Sequence, residues 1–209
     1  MRKFLVVVLP VALLGACGAK QESAADIRAQ ALTAAEFAPG YKRTSIEIDK
    51  RTADPIGCAQ LDRVDAKYVK TTAHTAGASF RNGDDRTATQ FANETIYTFK
   101  AADEANRYFD AEVAGFNACK TFTSTDSSGA QSSYHTQRYA FPTVGDESYA
   151  SSVTINGVVN GQAQTVAGPI VLVRKQKKFV AMLFFHVGSQ PGLSSGDVET
   201  IVRKAAGKL

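Results

Sequence analysis

The chain has 209 residues, of which 44% are hydrophobic and 21% are charged, and its formal net charge is +4 at pH 7. This length and composition fit one globular domain with a substantial hydrophobic core. The charges form no long basic block and no arginine-rich stripe, which argues against a nucleic-acid-binding protein. The basic cluster at residues 174–178 is expected on a solvated hairpin turn, and contact with anionic lipid headgroups is the alternative.

The N-terminus carries the pattern of an export signal. A basic start precedes an apolar run at residues 4–14, and the small residues Gly15 and Ala16 follow that run. This order predicts a secretory signal peptide at residues 1–16. A membrane-spanning anchor is the alternative, but the apolar run is shorter than the roughly 20 residues that cross a bilayer.

A cysteine stands directly after this predicted signal peptide. The motif Leu14-Gly15-Ala16-Cys17 resembles the lipobox of bacterial lipoproteins. The resemblance implies that Cys17 receives diacylglycerol and becomes the N-terminus after cleavage. We then expect a lipid-anchored protein on the extracytoplasmic face of the cell membrane, with a lipidated, alanine-rich tether over residues 17–30. The folded domain is expected over residues 31–209, and a plain signal peptide is the alternative.

The two remaining cysteines, Cys58 and Cys119, form an even pair in a chain with an export signal. Such a pair predicts one disulfide. Closing the loop between them stabilises the fold by roughly 4 kcal/mol on the chain-entropy model. Two free thiols or a metal-binding pair are the alternatives, and neither a C-x-x-C motif nor a nearby histidine favours them.

The first half of the chain alternates between helix and strand signals. Asp54-Pro55 is a favourable helix start, with the aspartate as cap and the proline at the first helical position. Asn82-Gly83 marks a turn between two strands. The predicted elements are, in order, a helix at 31–37, a strand at 43–49, a helix from 54, strands at 73–80 and 87–99, and a helix at 101–119.

The second half of the chain is mainly strand. A loop rich in serine, threonine and glycine is expected at residues 121–131, and the apolar segment 178–187 predicts a covered central strand. The remaining predicted elements are strands at 132–140, 148–156 and 163–174 and a final helix at 194–207. Hairpin-linked strands with a few helices predict an α+β fold, a single antiparallel sheet with helices packed on one face.

Several of these segments also carry a resemblance to a known family. They are LTAAEFAPGY (32–41), DPIGC (54–58), IYTF (96–99), AADEA (101–105), FNAC (116–119) and the hairpin around Val173-Arg174 and Phe179-Val180. In this order they resemble the extracellular sensor domain of mycobacterial PknH-type serine/threonine kinases and the related stand-alone actinobacterial lipoproteins. The resemblance covers residues 31–206 and implies an antiparallel sheet with helices around a ligand-binding cleft. The sequence contains no kinase catalytic signature.

One motif suggests hydrolase chemistry. Residues 192–196 match G-x-S-x-G, the pattern of the nucleophile elbow that exposes a serine above a hydrolase sheet. However, no histidine follows Ser194, and the predicted sheet is antiparallel rather than parallel. Ser194 or Ser195 is therefore predicted to cap the final helix.

Histidines and paired acids give no further catalytic or metal site. His74, His135 and His186 lie far apart on predicted strands, without zinc-like spacing, so we expect no metal and no cofactor. Asp84-Asp85 fits a turn, and Asp103-Glu104 fits the first turn of a helix, where negative charge complements the helix dipole.

Aromatic residues provide the remaining candidate site. A cleft lined by aromatic side chains suits an apolar or aromatic ligand, and ordinary core packing is the alternative. The candidate ligand-binding residues, all on neighbouring predicted strands, are Tyr134, Tyr139, Phe141 and Tyr149.

The combined pattern predicts a non-enzymatic, membrane-anchored lipoprotein with a sensor-like domain for a small-molecule or lipid ligand. One alternative is a lipid- or glycolipid-binding carrier with an apolar cavity. The other is a cell-envelope hydrolase, which requires a histidine, a serine and a carboxylate within hydrogen-bond reach. The sequence identifies no protein partner.

Overall fold

The computed structural model describes residues 22–49, 56–68, 71–84, 88–125, 129–159 and 162–209. The predicted signal peptide, Cys17 and the helix start at residues 54–55 lie outside the described residues. In chain order the elements are α1 (Ala24–Gln30), β1 (Tyr41–Ile48), α2 (Ala59–Tyr68), β2 (His74–Asn82), β3 (Gln90–Thr98), α3 (Ala102–Ala118), β4 (Thr121–Thr125), β5 (Gln131–Arg138), β6 (Glu147–Val159), β7 (Gln162–Lys175), β8 (Lys178–Val187) and α4 (Ser195–Lys208). Across these ranges, every helix is too short or too polar to cross a membrane.

The eight strands form one antiparallel sheet in the order β1-β2-β3-β8-β7-β6-β5-β4. Strand β8 lies between β3 and β7, with Met182 opposite Glu94 on one side and Val171 on the other. This confirms the prediction of a central strand. It also confirms the predicted α+β fold with a single antiparallel sheet.

The sheet separates two hydrophobic cores. Successive side chains of a strand point to opposite faces, so Met182 and Phe179 of β8 lie in different cores. Helices α1 and α4 cover the first core through Ile27 and Ile201, and α2 and α3 cover the second, where Phe109 lies. The helices therefore lie on both faces, not on one face as expected, because β8 is apolar on both of its sides.

The folded domain begins earlier than residue 31. Residues 24–30, expected as part of the tether, form α1, and Ile27 is 0% exposed in the first core. Ser23 Oγ accepts a hydrogen bond from Asp26 N at 3.2 Å, and Ser23 N donates to Asp26 Oδ2 at 2.9 Å. This capping box holds the helix start, so a short, polar, alanine-rich segment is ordered by its cap and by the burial of Ile27 and Gln30. The helix predicted at 31–37 is instead an irregular turn that buries Leu32 and Phe37.

The segment expected as a loop at residues 121–131 contains the edge strand β4. It pairs with β5 from Thr121 opposite His135 to Thr125 opposite Gln131. Threonine suits a strand because its branched Cβ packs well on a pleated surface, and an edge strand needs few apolar side chains. The loop prediction was therefore wrong for residues 121–125.

A disulfide joins α2 to α3 on the second face of the sheet. Cys58, just before α2, is bonded to Cys119, just after α3, and their Cα atoms are 6.1 Å apart. This confirms the predicted pairing. Leu61 of α2 packs directly over Gly115 of α3, where a larger residue would collide with it. The two helices therefore form a closely packed pair above the sheet.

Candidate functional site

A cleft of about 350 Å³ lies between the sheet and the α2–α3 pair. One wall is made of sheet side chains and the other of helix side chains, because each element turns one face toward this core. The lining is predominantly apolar and includes Leu61, Phe116, Phe122, Tyr134, Leu172 and Phe179.

Two carboxyl groups interrupt this apolar lining. Asp65 comes from α2 and Glu112 from α3, and Glu112 is only 8% exposed. Burial raises the pKa of Glu112 to about 8, and the Asp65 carboxylate adds to this shift. Burial also raises the pKa of Asp65 to about 6, with a further contribution from Asp62. Among the described residues, no lysine or arginine lowers the pKa of either acid.

Two tyrosines lie beside these acids. The Tyr108 ring is 5.4 Å from the Tyr97 ring and 4.8 Å from that of Phe179. The neighbouring Tyr108 hydroxyl lowers the pKa of Glu112, against the larger effect of burial. Burial raises the pKa of Tyr97 to about 12, so its hydroxyl stays neutral. The cleft thus combines a large apolar wall with a small polar end of two carboxyls and two phenols.

The four aromatic residues predicted to bind a ligand do not line one common cleft. Tyr134 lines the cleft described above and stacks on Phe122, with ring centroids 4.6 Å apart. Tyr149 is 4% exposed and belongs to the core beneath α3, and it also lines a groove of about 440 Å³ together with Tyr139 and Phe141. Tyr139 and Phe141 line a second groove of about 640 Å³ on the α4 side of the sheet.

The serine of the G-x-S-x-G motif caps a helix. Ser194 Oγ accepts a hydrogen bond from Asp197 N at 3.1 Å and donates one to Asp197 Oδ2 at 2.6 Å. This confirms the predicted cap of α4 and occupies the serine in local structure.

The histidines lie apart and have different surroundings. His74 Nδ1 is 3.2 Å from Asp49 Oδ1, and His135 is exposed on β5. His186 lines the second groove, and its Nδ1 is buried without a hydrogen-bond partner. In the part of the chain that the structure describes, no histidine is hydrogen-bonded to a serine, and no group of acids, histidines and cysteines is arranged to hold a metal. The geometry that a hydrolase requires is therefore not observed in these ranges.

The basic cluster lies on the β7–β8 hairpin, as predicted, and much of its charge is paired. Arg174 contacts Asp146 at 3.0 Å and Glu147 at 3.2 Å. Lys178 forms a salt bridge with Glu22 at 2.8 Å. This pairing weakens the case for a surface that attracts anionic lipids.

The two acids of the cleft were not predicted from the sequence, although the sequence contains a signal for them. Glu112 stands one helical turn after Tyr108 and one turn before Phe116, within the apolar stripe of α3. Asp65 stands one turn after Leu61 on α2. An acid within an apolar helical stripe is exceptional, because burying a charge without a partner is unfavourable.

The sequence matches no family model and no curated protein. Three chains among the solved structures match the fold. One is the extracellular domain of PknH from Mycobacterium tuberculosis, with a TM-score of 0.63, 13% sequence identity, and coverage of 90% of this chain and 98% of that chain. This chain has the fold of the PknH extracellular domain. The resemblance inferred from the sequence is thereby confirmed at the level of the fold.

Proposed function

We propose that this protein is a non-enzymatic, sensor-like module outside the cytoplasm that binds a small ligand in the cleft between the sheet and the α2–α3 pair. The cleft itself carries this proposal, because its volume of about 350 Å³ falls in the range of small-molecule sites. The fold of an extracellular kinase domain supports the location. The described lining contains no histidine, serine or free thiol beside the acids, which favours binding over acyl transfer.

The apolar wall of the same cleft also favours a second candidate function, the binding of a lipid or glycolipid. Both candidates are tested by comparing native and denaturing mass spectra of the full chain isolated from its own cell envelope. A non-covalent adduct that disappears on denaturation identifies the ligand class directly. A clean mass in both spectra would contradict binding in the cleft.

A cleft-filling substitution assigns any such adduct to its site. Ala181 of β8 lines the cleft, whereas Ala167 of β7 lines the second groove on the opposite face. We expect Ala181→Phe to abolish the adduct and Ala167→Phe, the matched control, to retain it. Ala181→Leu serves where the larger side chain prevents folding. Loss of the adduct in Ala167→Phe alone would move the site to the second groove.

We also propose that Cys17 carries the lipid anchor that holds this module at the membrane. Support comes from the lipobox-like motif and from the short distance along the chain to Ser23, which caps α1. The chain from Cys17 to Ser23 spans at most about 20 Å. The folded module is then held close to the membrane surface.

The anchor is tested by detergent phase partitioning and mass analysis of the full chain. The unchanged protein is expected in the detergent phase with a diacylglycerol mass at Cys17. Cys17→Ser is expected in the aqueous phase without that mass. An unmodified cysteine in the unchanged, exported protein would overturn the anchor and leave the cleft proposal intact.

A further inference from the structure

We propose that the ligand of the cleft is an amphipathic amine, whose ammonium group lies between Asp65 and Glu112 and whose apolar body fills the rest of the cleft. This inference rests on the proposed ligand-binding function and names the chemical class of the ligand.

The two carboxyls converge because two different helices present them to one cavity. Asp65 follows Leu61 by one turn of α2, and Leu61 packs over Gly115 of α3. Glu112 lies almost one turn before Gly115, on the side of α3 that faces the sheet. The disulfide joins the start of α2 to the end of α3, about two helical turns from either acid. The spacing between the acids is thus set by rigid elements and not by loops.

In the described part of the chain, no lysine or arginine lowers the pKa of these two acids, whereas cations do so at another buried acid. Glu94 on β3, another buried acid, is 1% exposed, and both Lys208 and Arg43 lower its pKa. The cleft acids receive no such contribution from the described residues. A buried carboxylate without a cation is costly, and a ligand ammonium supplies the missing charge.

The polar end of the cleft also suits an ammonium group geometrically. An ammonium has three hydrogen-bond donors, and the two carboxylates and the Tyr97 hydroxyl provide acceptors on several sides. The Tyr108 ring lies in the same lining, and aromatic faces attract cations. A ligand carboxylate would meet two acids of the same charge, and a neutral alcohol would leave them without a counter-ion.

Binding of an amine then releases protons. The pKa of Glu112 is about 8 and that of Asp65 about 6, so in the empty cleft Glu112 is largely protonated at neutral pH. A bound cation favours the ionised acids, so about one proton leaves on binding and affinity rises between about pH 6 and pH 8. The other titratable groups that face the pair are Asp62, Tyr97 and Tyr108, and the two phenols stay protonated across this range.

Three probes with the same apolar body test this inference. They are phenylbutylamine, phenylbutanol and phenylbutanoate, titrated into the full chain by calorimetry at about pH 6 and about pH 8, in buffers of different ionisation enthalpy. At the higher pH the amine is expected to bind at least about tenfold more tightly than the alcohol. Amine binding should release about half a proton at about pH 8, where Glu112 is about half protonated in the empty cleft, and more than one proton at about pH 6. Equal or tighter binding of the alcohol or the carboxylate, or no binding of the amine, overturns the inference.

Variants separate this inference from the proposed function. Glu112→Gln and, independently, Asp65→Asn are expected to weaken amine binding about tenfold and to leave alcohol binding nearly unchanged. Asp110→Asn, an exposed acid on the same helix, is the matched control and should bind the amine normally. Retained amine preference in both cleft variants overturns the amine assignment. If Ala181→Phe abolishes binding of the alcohol, the cleft is still supported as a ligand site even where the amine assignment fails. If Ala181→Phe leaves binding of all the probes unchanged, both proposals are overturned.

Discussion

At the scale of single residues, the most unusual group outside the cleft is Glu94. Its Oε2 accepts a hydrogen bond from Leu32 N at 2.8 Å, while its Oε1 is buried without a partner. Burial raises the pKa of Glu94 to about 7, although Lys208 and Arg43 act in the opposite direction. The carboxyl therefore joins the turn after α1 to the centre of the sheet, and it does so best in its protonated form.

This environment predicts that the free energy of unfolding decreases as the pH rises. Between about pH 5 and pH 7 the folded chain keeps a proton on Glu94 that the unfolded chain has released, so unfolding becomes easier by up to about 3 kcal/mol. Glu94→Gln cannot ionise and should show a smaller pH dependence in urea denaturation across this range. Asp65 and Glu112 shift in the same direction, so some dependence remains.

The exposed acid Asp110 provides the control for this measurement. Asp110→Asn is expected to keep the full pH dependence of the unchanged protein. If Glu94→Gln also keeps the full dependence, the protonated state of Glu94 in the folded protein is refuted.

At the scale of elements, the α2–α3 contact depends on the absence of a side chain at Gly115. A Cβ atom at this position would overlap the side chain of Leu61. Alanine favours a helix over glycine by up to about 1 kcal/mol, but overpacking a tight contact costs about 1–3 kcal/mol. Gly115→Ala is therefore expected to lower the thermal unfolding temperature.

A second helical glycine provides the matched comparison. Gly207 is exposed on α4, with no atom near the position of an added Cβ. Gly207→Ala should raise the unfolding temperature slightly, because only the helix propensity changes. If both substitutions raise the unfolding temperature, the close contact between α2 and α3 is refuted.

At the scale of the whole molecule, periodicity in the sequence predicted most of the fold. Apolar residues recur with a 3.6-residue period in α3, and this pattern predicts both the helix and its buried face. The segment of β8 is apolar on both faces, which predicts a buried strand, and Ser194 predicts the cap of α4. Two short elements were not predicted, because tertiary contacts and not local periodicity keep them ordered. Helix α1 depends on the burial of Ile27, and β4 depends on pairing with β5. The cleft was not predicted for the same reason, because the residues that line it are far apart in the chain.

The arrangement of two cores on opposite faces of one sheet has a consequence for unfolding. Helices α1 and α4 bring the two ends of the described chain together on the first face, where Lys208 Nζ donates a hydrogen bond to Ala31 O at 3.0 Å. Helices α2 and α3 cover the second face and are joined by the disulfide. Each pair of helices packs on its own core, so local opening on one face leaves the packing on the other face in place.

This separation predicts where the molecule opens when the disulfide is removed. The Cys58→Ala, Cys119→Ala double variant should lose about 4 kcal/mol of stability on the chain-entropy model. Hydrogen exchange should increase first in α2 and α3, while α1 and α4 keep their protection until global unfolding. Ile27→Ala is the converse control and should expose α1 and α4 first, because it opens the core on the opposite face. Equal loss of protection in all four helices in both variants would show that the sheet transmits either change as one cooperative unit.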